Sequence, residues 1–451
     1  MNHKFILNLV NMIPERLNGC PRLTNGRFGA VNGRHRAQKS ESSPLIFLPH
    51  SLTLPLKTIE MVNFGSTETA FRYKSDRDLK RGYLLFKLIS NGSLVKFAQK
   101  LSDLALKVRL PIAWALKPTL YRHFVGGETI EECTPAVRHM AQFGVKSILD
   151  YSVEGGKDSE TMQRTFDETL QSVKNAAADP DIPFSVFKPT AFATADILTL
   201  ASSGQPLDSE TQKGLNRFRE YVDQLCGCAF TNNVPIMIDA EDSWYQPVVD
   251  QVVTEMMEKY NRQKAIVFNT LQMYRTDRLE FLKDSLRKAE AGGYYLGVKF
   301  VRGAYMEKER RRADEKGYPS PIQPDKPSTD AAYDAALTFS VLNLHKIKVF
   351  NGSHNEKSNL HLAQLMADHH ITNDDPRIWF SQLYGMSDHI SFNLAAEGYN
   401  VAKYVPYGPV RNILPYLMRR AEENTSIAGQ TGRELSLIKA EIKRRKVKRS
   451  D

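Results

Sequence analysis

The sequence predicts an α/β fold of the (βα)8 TIM-type barrel class, with helices ahead of the barrel and a basic helix or tail behind it. Three observations predict it. Eight short β-branched or apolar runs recur between residues 144 and 405. Each is separated from the next by a longer stretch whose apolar residues follow helical spacing, as crossovers between parallel strands require. No G-x-G-x-x-G follows any run, which argues against a doubly wound open sheet.

Residues 1–60 are Arg-scattered, rich in Gly, Asn and Ser, and show no sustained period. They read as a disordered extension or a transit-like segment. Pro14 and Pro21 break any clean amphipathic face, which favours the plain extension. Residues 61–115 read as a helical region, because apolar residues recur at three and four in "LKRGYLLFKLISNGSLVKFAQKLSDLALKV".

The barrel is assigned to residues 116–430. Its strand candidates are 144–150 (GVKSILD), 184–188 (FSVFK), 234–239 (VPIMID), 265–270 (AIVFNT), 295–302 (YLGVKFVR), 346–352 (KIKVFNG), 377–383 (RIWFSQL) and 399–405 (YNVAKYV). Near-continuous hydrophobicity marks strands covered on both faces. Residues 431–451 form a basic end. Leu435, Leu437, Ile438, Ile442 and Val447 draw an incomplete apolar stripe there, read as a solvated, frayed tail or a membrane-surface helix, the frayed tail preferred.

The chain has 451 residues, 41% of them hydrophobic and 25% charged, so a large core is available. Its net charge of +10 sits at the ends, each carrying eight Lys/Arg against three carboxylates. The body between residues 61 and 430 is balanced, with 45 basic and 45 acidic residues, so a nucleic-acid groove across it has no support. No stretch reaches the length of a membrane-spanning helix. Four cysteines make no disulfide framework, and Cys226-Gly-Cys228 reads as two semi-buried thiols on a helix with no metal.

In this barrel class chemistry sits at the carboxyl ends of the strands. The strand ends carry Asp150, Lys188, Asp239, Gln272, Arg302, His354, Gln382 and Tyr404. Lys188, Asp239 and Arg302 would place three charged groups in one mouth. In "PVRNILPYLMRRAEEN", Tyr416, Arg419, Arg420 and Glu423 fall on one helix face. Two planar guanidinium forks suit a small carboxylate, although pairing of Arg419 with Glu422 or Glu423 is the ordinary surface alternative.

The motifs "HFVGGETIEEC", "LDYSVEGG", "FSVFKPTAF", "IMIDAEDSW", "FNTLQMY", "GVKFVRGAYMEKER", "FNGSHN", "WFSQLYGMSD" and "YVPYGPVRNILPYLMRRAEENT" resemble, in order, those of the proline dehydrogenases. The resemblance covers roughly residues 120–426. It implies FAD held in the barrel mouth and hydride transfer from L-proline, giving Δ1-pyrroline-5-carboxylate, with electrons passed to a quinone. It further implies that Lys188, Arg419 and Arg420 hold the substrate carboxylate, and that Leu383, Tyr404 and Tyr416 pack around the ring. Asp239 would act with Lys188 and Lys299 at the catalytic centre. Ala240, Gln272, Lys299, Arg302, Gly303, Ala304, Tyr305, Thr329, Ser353, His354 and Glu423 would line the cofactor. Tyr404 resembles the branch that prefers proline, since related hydroxyproline-oxidising enzymes are smaller at that position. Lys299 resembles the eukaryotic form, where many bacterial members have arginine. The segment "PIQPDKPSTD" around Thr329 matches only loosely.

A Schiff-base aldolase or lyase centred on Lys188 is the competing reading from the residues, because a barrel lysine is also a common amine nucleophile. The resemblance implies residence in the bacterial cytoplasm or against the inner membrane, with peripheral membrane contact. The mitochondrial inner membrane, matrix side, is the alternative.

Overall fold

The computed structural model describes residues 62–89, 117–152, 158–410, 412–414, 416–417, 419–420 and 430–448. Eight parallel strands form one sheet: β1 Val145–Tyr151, β2 Ser185–Phe187, β3 Ile236–Ile238, β4 Val267–Gln272, β5 Leu296–Val301, β6 Ile347–Gly352, β7 Ile378–Leu383 and β8 Val401–Tyr407. Their order is β1-β8-β7-β6-β5-β4-β3-β2, and a parallel bridge between Ile148 and Phe184 brings β2 back to β1. Every strand overlaps its predicted run. The predicted segments 1–60 and 90–115 lie outside the described residues.

Alternation along the strands builds two cores. Ile148, Val186, Phe268, Phe350 and Ala402 point into the barrel, where the Phe184 ring meets Phe268, Phe350 and Trp379 with centroids 5.7, 5.1 and 5.3 Å away. Residues such as Leu149, Ile236, Val298 and Val349 point outward and pack beneath the crossover helices. Gly297 makes room for this arrangement, since a Cβ there would lie 2.5 Å from the Val267 carbonyl oxygen. The aromatic plug fills the barrel interior and leaves the chemistry to the rim.

Several helices begin where a side chain supplies a missing acceptor. Asp158, Asp208 and Asp325 accept from the backbone N–H three positions on, at 2.8, 2.7 and 2.8 Å. Cys226 is buried and Cys228 partly buried on the helix Ser209–Thr231, as two thiols on a helix should be.

The expected frayed tail is corrected. Gln430–Val447 is an 18-residue helix docked on Asp76–Ile89. Leu437 and Ile438 are buried in a cluster with Leu79, Phe86 and Ile89, and Leu435 and Ile442 pack against it. Arg445 donates to the Phe71 and Lys74 carbonyls at 2.8 Å each and pairs with Asp76 at 2.9 Å. The stripe is incomplete in the sequence because its complement lies on the helix ahead of the barrel. Deleting residues 431–451 is therefore expected to destabilise the fold by roughly 3–6 kcal/mol, counting the two buried side chains alone. Chemical denaturation of the full and shortened chains checks this.

Candidate active site at the carboxyl ends of the strands

Five strands deliver one cluster of alternating charges and a phenol. Lys188, just past β2, donates to both oxygens of Asp150 on β1 at 3.2 and 3.1 Å and to Asp239 Oδ2 at 3.0 Å. Lys299 on β5 donates to Asp239 Oδ1 at 2.5 Å. Tyr404 on β8 meets the two Asp239 oxygens at 3.1 and 2.9 Å, and Lys299 Nζ lies 4.5 Å from its ring centroid. Asp150 also accepts from Ser152 Oγ at 2.5 Å.

The electrostatics follow from this packing. Burial works against the Asp239 carboxylate, yet Lys299 and Lys188 outweigh it and bring the group down to about 2. Burial also opposes the Lys188 ammonium, but Asp150 and Asp239 hold it well above the usual lysine range. Burial first, then Asp239, pushes the Tyr404 phenol well up, so it stays protonated. Two ammonium groups and two carboxylates leave this cluster formally neutral.

A second cluster occupies the ends of β5 and β6. Arg302 donates through Nε to Asp330 at 2.8 Å and through its two terminal nitrogens to Ser353 Oγ and Ser358 Oγ at 2.9 Å each. Its guanidinium also lies 4.4 Å from the Tyr333 ring. Gly303 turns away at φ 125°, where a Cβ would lie 2.5 Å from the Tyr274 ring. Ala304 and Tyr305 follow, Tyr305 preceding the helix Met306–Lys316. Thr329 is buried one position before Asp330, and its hydroxyl donates to the Asp325 carbonyl at 3.1 Å.

Between the clusters, Gln272 donates to the Glu241 carbonyl at 2.6 Å. Ala240 is partly exposed beside Asp239. His354 places Nδ1 2.9 Å from Ser387 Oγ and accepts the Leu383 N–H at Nε2, 3.4 Å away. Burial, then the Lys403 and Arg420 charges, lower His354 to about 3, so the ring is neutral. Gln382 donates to the Ser353 carbonyl at 3.0 Å.

Tyr416 and Arg420 are buried and Arg419 is half-buried, with the Arg420 guanidinium 4.9 Å from the Tyr416 ring. Tyr416 is close enough to influence Tyr404, and Arg420 close enough to influence His354. Glu422 and Glu423 lie outside the described residues.

Two participants were not assigned from sequence. Asp150 was legible only as a polar strand end, though the alternation of charge at neighbouring ends was a signal. Glu241 is buried within "IMIDAEDSW" and accepts from the Thr190 N–H at 2.9 Å and the Thr190 hydroxyl at 2.7 Å, tying the β2 and β3 loops together. Burial raises it to about 7, against the lowering effect of Thr190. A carboxyl raised in the folded state binds more protons there than in the unfolded chain, so its contribution falls as pH climbs from about 4.5 through about 7. Glu241→Gln is expected to raise stability relative to the parent at pH 8 and to leave it nearly unchanged at pH 4. Urea denaturation at the two values checks the sign.

A family model described as proline dehydrogenase matches residues 133–433. Hydroxyproline dehydrogenase of Xenopus laevis is 32% identical, covering 88% of this chain and 93% of that protein. Proline dehydrogenase 1, mitochondrial, of Dictyostelium discoideum is 31% identical over 84% of this chain and 74% of its own length. Carbapenem antibiotics biosynthesis protein CarD of Pectobacterium carotovorum is 35% identical over 72% of this chain and 84% of that protein. Among solved structures, proline utilization A from Bdellovibrio bacteriovorus aligns with a TM-score of 0.62 at 19% identity, covering 81% of this chain. This chain spans 37% of that longer protein, and the likeness speaks for the fold alone.

Proposed function

The chain belongs to the proline dehydrogenase family, and from that premise we propose that it oxidises L-proline to Δ1-pyrroline-5-carboxylate with FAD, passing the electrons to a quinone. The observation that carries the reading is the Asp150–Lys188–Asp239–Lys299–Tyr404 cluster, with Tyr416 near Tyr404 and Arg420 against the Tyr416 ring. Arg419 and Arg420 supply the charge-assisted hydrogen bonds that a desolvated substrate carboxylate requires. Lys188 gives Asp150 a bifurcated bond and Asp239 a single one, which leaves an N–H of its ammonium for the same carboxylate. Leu383, Tyr404 and Tyr416 are placed to flank the ring, and the Tyr404 phenol, fixed on Asp239, crowds a 4-hydroxyl. Proline is thus preferred over hydroxyproline.

The residues present fit FAD. Arg302 offers a planar fork, Gly303 leaves no room for a side chain, and Gln272, Lys299, Ser353 and His354 stand on adjacent strand ends. Ala240, Ala304, Tyr305, Thr329 and Glu423 complete the proposed lining. When bound, FAD supplies the hydride acceptor. The chain's part is to orient the substrate, keep Asp239 ionised and His354 neutral, and exclude water with the aromatic plug below.

The Schiff-base alternative meets a physical obstacle. An amine nucleophile needs a free-base lysine, and Lys188 is held charged between two carboxylates. Anaerobic spectroscopy separates the two readings. Yellow protein whose flavin bands bleach with L-proline supports oxidation, whereas colourless protein trapped by borohydride with a carbonyl substrate overturns it.

The Dictyostelium relative is named as mitochondrial, which supports the mitochondrial alternative. Among the described residues no helix is long and apolar enough to cross a membrane. Peripheral contact is assigned to the terminal helix, where Lys439, Lys443 and Lys446 are exposed while its leucines pack inward. Flotation of the full chain with anionic but not neutral vesicles tests it, since truncation would disturb the fold as well.

A further inference from the structure

The terminal helix reaches the active-site rim through one buried carboxylate. Glu434 is 2% exposed, and both its oxygens accept the Ser387 N–H, at 3.1 Å each. Ser387 sits at φ 52° and ψ 43°, a left-handed conformation unfavourable to a residue bearing a Cβ, so its neighbours must hold it there. Its hydroxyl faces His354 Nδ1 at 2.9 Å. Because His354 Nε2 accepts the Leu383 N–H, Nδ1 carries the proton and donates it to Ser387 Oγ. Lys403 holds the same turn from β8, through the Leu383 carbonyl at 3.4 Å, the Met386 carbonyl, and Asp388 at 3.0 Å.

We propose that Glu434 is a positioning residue for the reaction: by fixing Ser387 it sets the tautomer and orientation of His354 and the placement of Leu383. His354 is the cofactor-side end of this chain of contacts and Leu383 the substrate-side end, so the inference rests on the functional reading above. It makes the C-terminal helix part of the active site's support.

Three variants of the full chain test it: Glu434→Gln, Glu434→Ala and Ser387→Ala. FAD affinity is titrated on apoprotein, kcat and KM for L-proline are measured on holoenzyme, and thermal midpoints are recorded beside them. Glu434→Gln keeps an acceptor for the Ser387 N–H and is expected to match the parent. Glu434→Ala is expected to weaken FAD binding and raise KM, each roughly tenfold, with kcat changed less. Ser387→Ala keeps the backbone N–H bond and removes only the hydroxyl facing His354. It is expected to reproduce the FAD and KM effects with a smaller loss of thermal midpoint, and it decides the matter if Glu434→Ala does not fold. Parent-like FAD affinity and KM in Ser387→Ala, or a Glu434→Ala variant changed only in thermal midpoint, would overturn the inference. A parent enzyme that L-proline does not bleach would instead overturn the functional reading beneath it.

Discussion

Alanine at Asp239 is expected to lower kcat/KM for L-proline roughly a thousandfold, the scale that follows from breaking a buried ion pair at about 3–5 kcal/mol. Asp239 joins donors from three other strand ends: Lys188, Lys299 and Tyr404. Removing it leaves two buried ammonium groups against one carboxylate and releases Tyr404, the tyrosine proposed to flank the substrate ring. Loss should therefore appear in kcat as well as KM, because ring placement and charge balance fail together. Asp239→Asn keeps the shape and one acceptor, and should retain more activity than alanine while falling well below the parent. Steady-state kinetics with a soluble quinone as acceptor separates these outcomes. A change below tenfold for alanine would mean that the cluster is structural.

The second large effect is expected at the arginines. In the proposed function Arg419 and Arg420 bond the substrate carboxylate directly. Truncating one partner of a buried charged pair costs about 2–5 kcal/mol, so Arg420→Ala should raise KM for L-proline roughly a hundredfold, with a smaller change in kcat. Arg420→Lys should recover only part of this, because an ammonium cannot offer the two parallel N–H bonds of a guanidinium. Equilibrium titration of oxidised enzyme with a carboxylate analogue that cannot be oxidised checks the binding component directly.

The barrel was legible because strands covered on both faces must be almost wholly apolar, and all eight runs stand out between helical stretches. Ile236–Ile238 and Ser185–Phe187 are only three residues long, yet Asp239 and Lys188 directly after them mark the rim correctly. Which charge meets which is another matter, because pairing depends on strand neighbours that periodicity does not rank. Asp150 and Lys188 are separated by 38 positions and meet only because the barrel closes between β1 and β2. The terminal helix was misread for a related reason. Arg445 finds Asp76 across 369 positions, and a stripe that looks incomplete alone is completed by a distant helix. Glu434 was counted simply as one of three acidic residues in a basic end. Its role emerges once Ser387 is seen in a left-handed turn that needs holding.

The claim on which the account turns is that Arg419 and Arg420 grip the carboxylate of a proline ring. It is tested most directly by a two-way cycle: kcat/KM for L-proline and for L-prolinamide, each with the parent and with Arg419→Ala/Arg420→Ala. Neutralising the carboxylate is expected to be severely damaging in the parent, by two or more orders of magnitude, and much less so in the variant, where the arginine contacts are already gone and only the Lys188 contact remains. An equal amide penalty in the two enzymes would contradict it and place the substrate's negative end elsewhere in the rim.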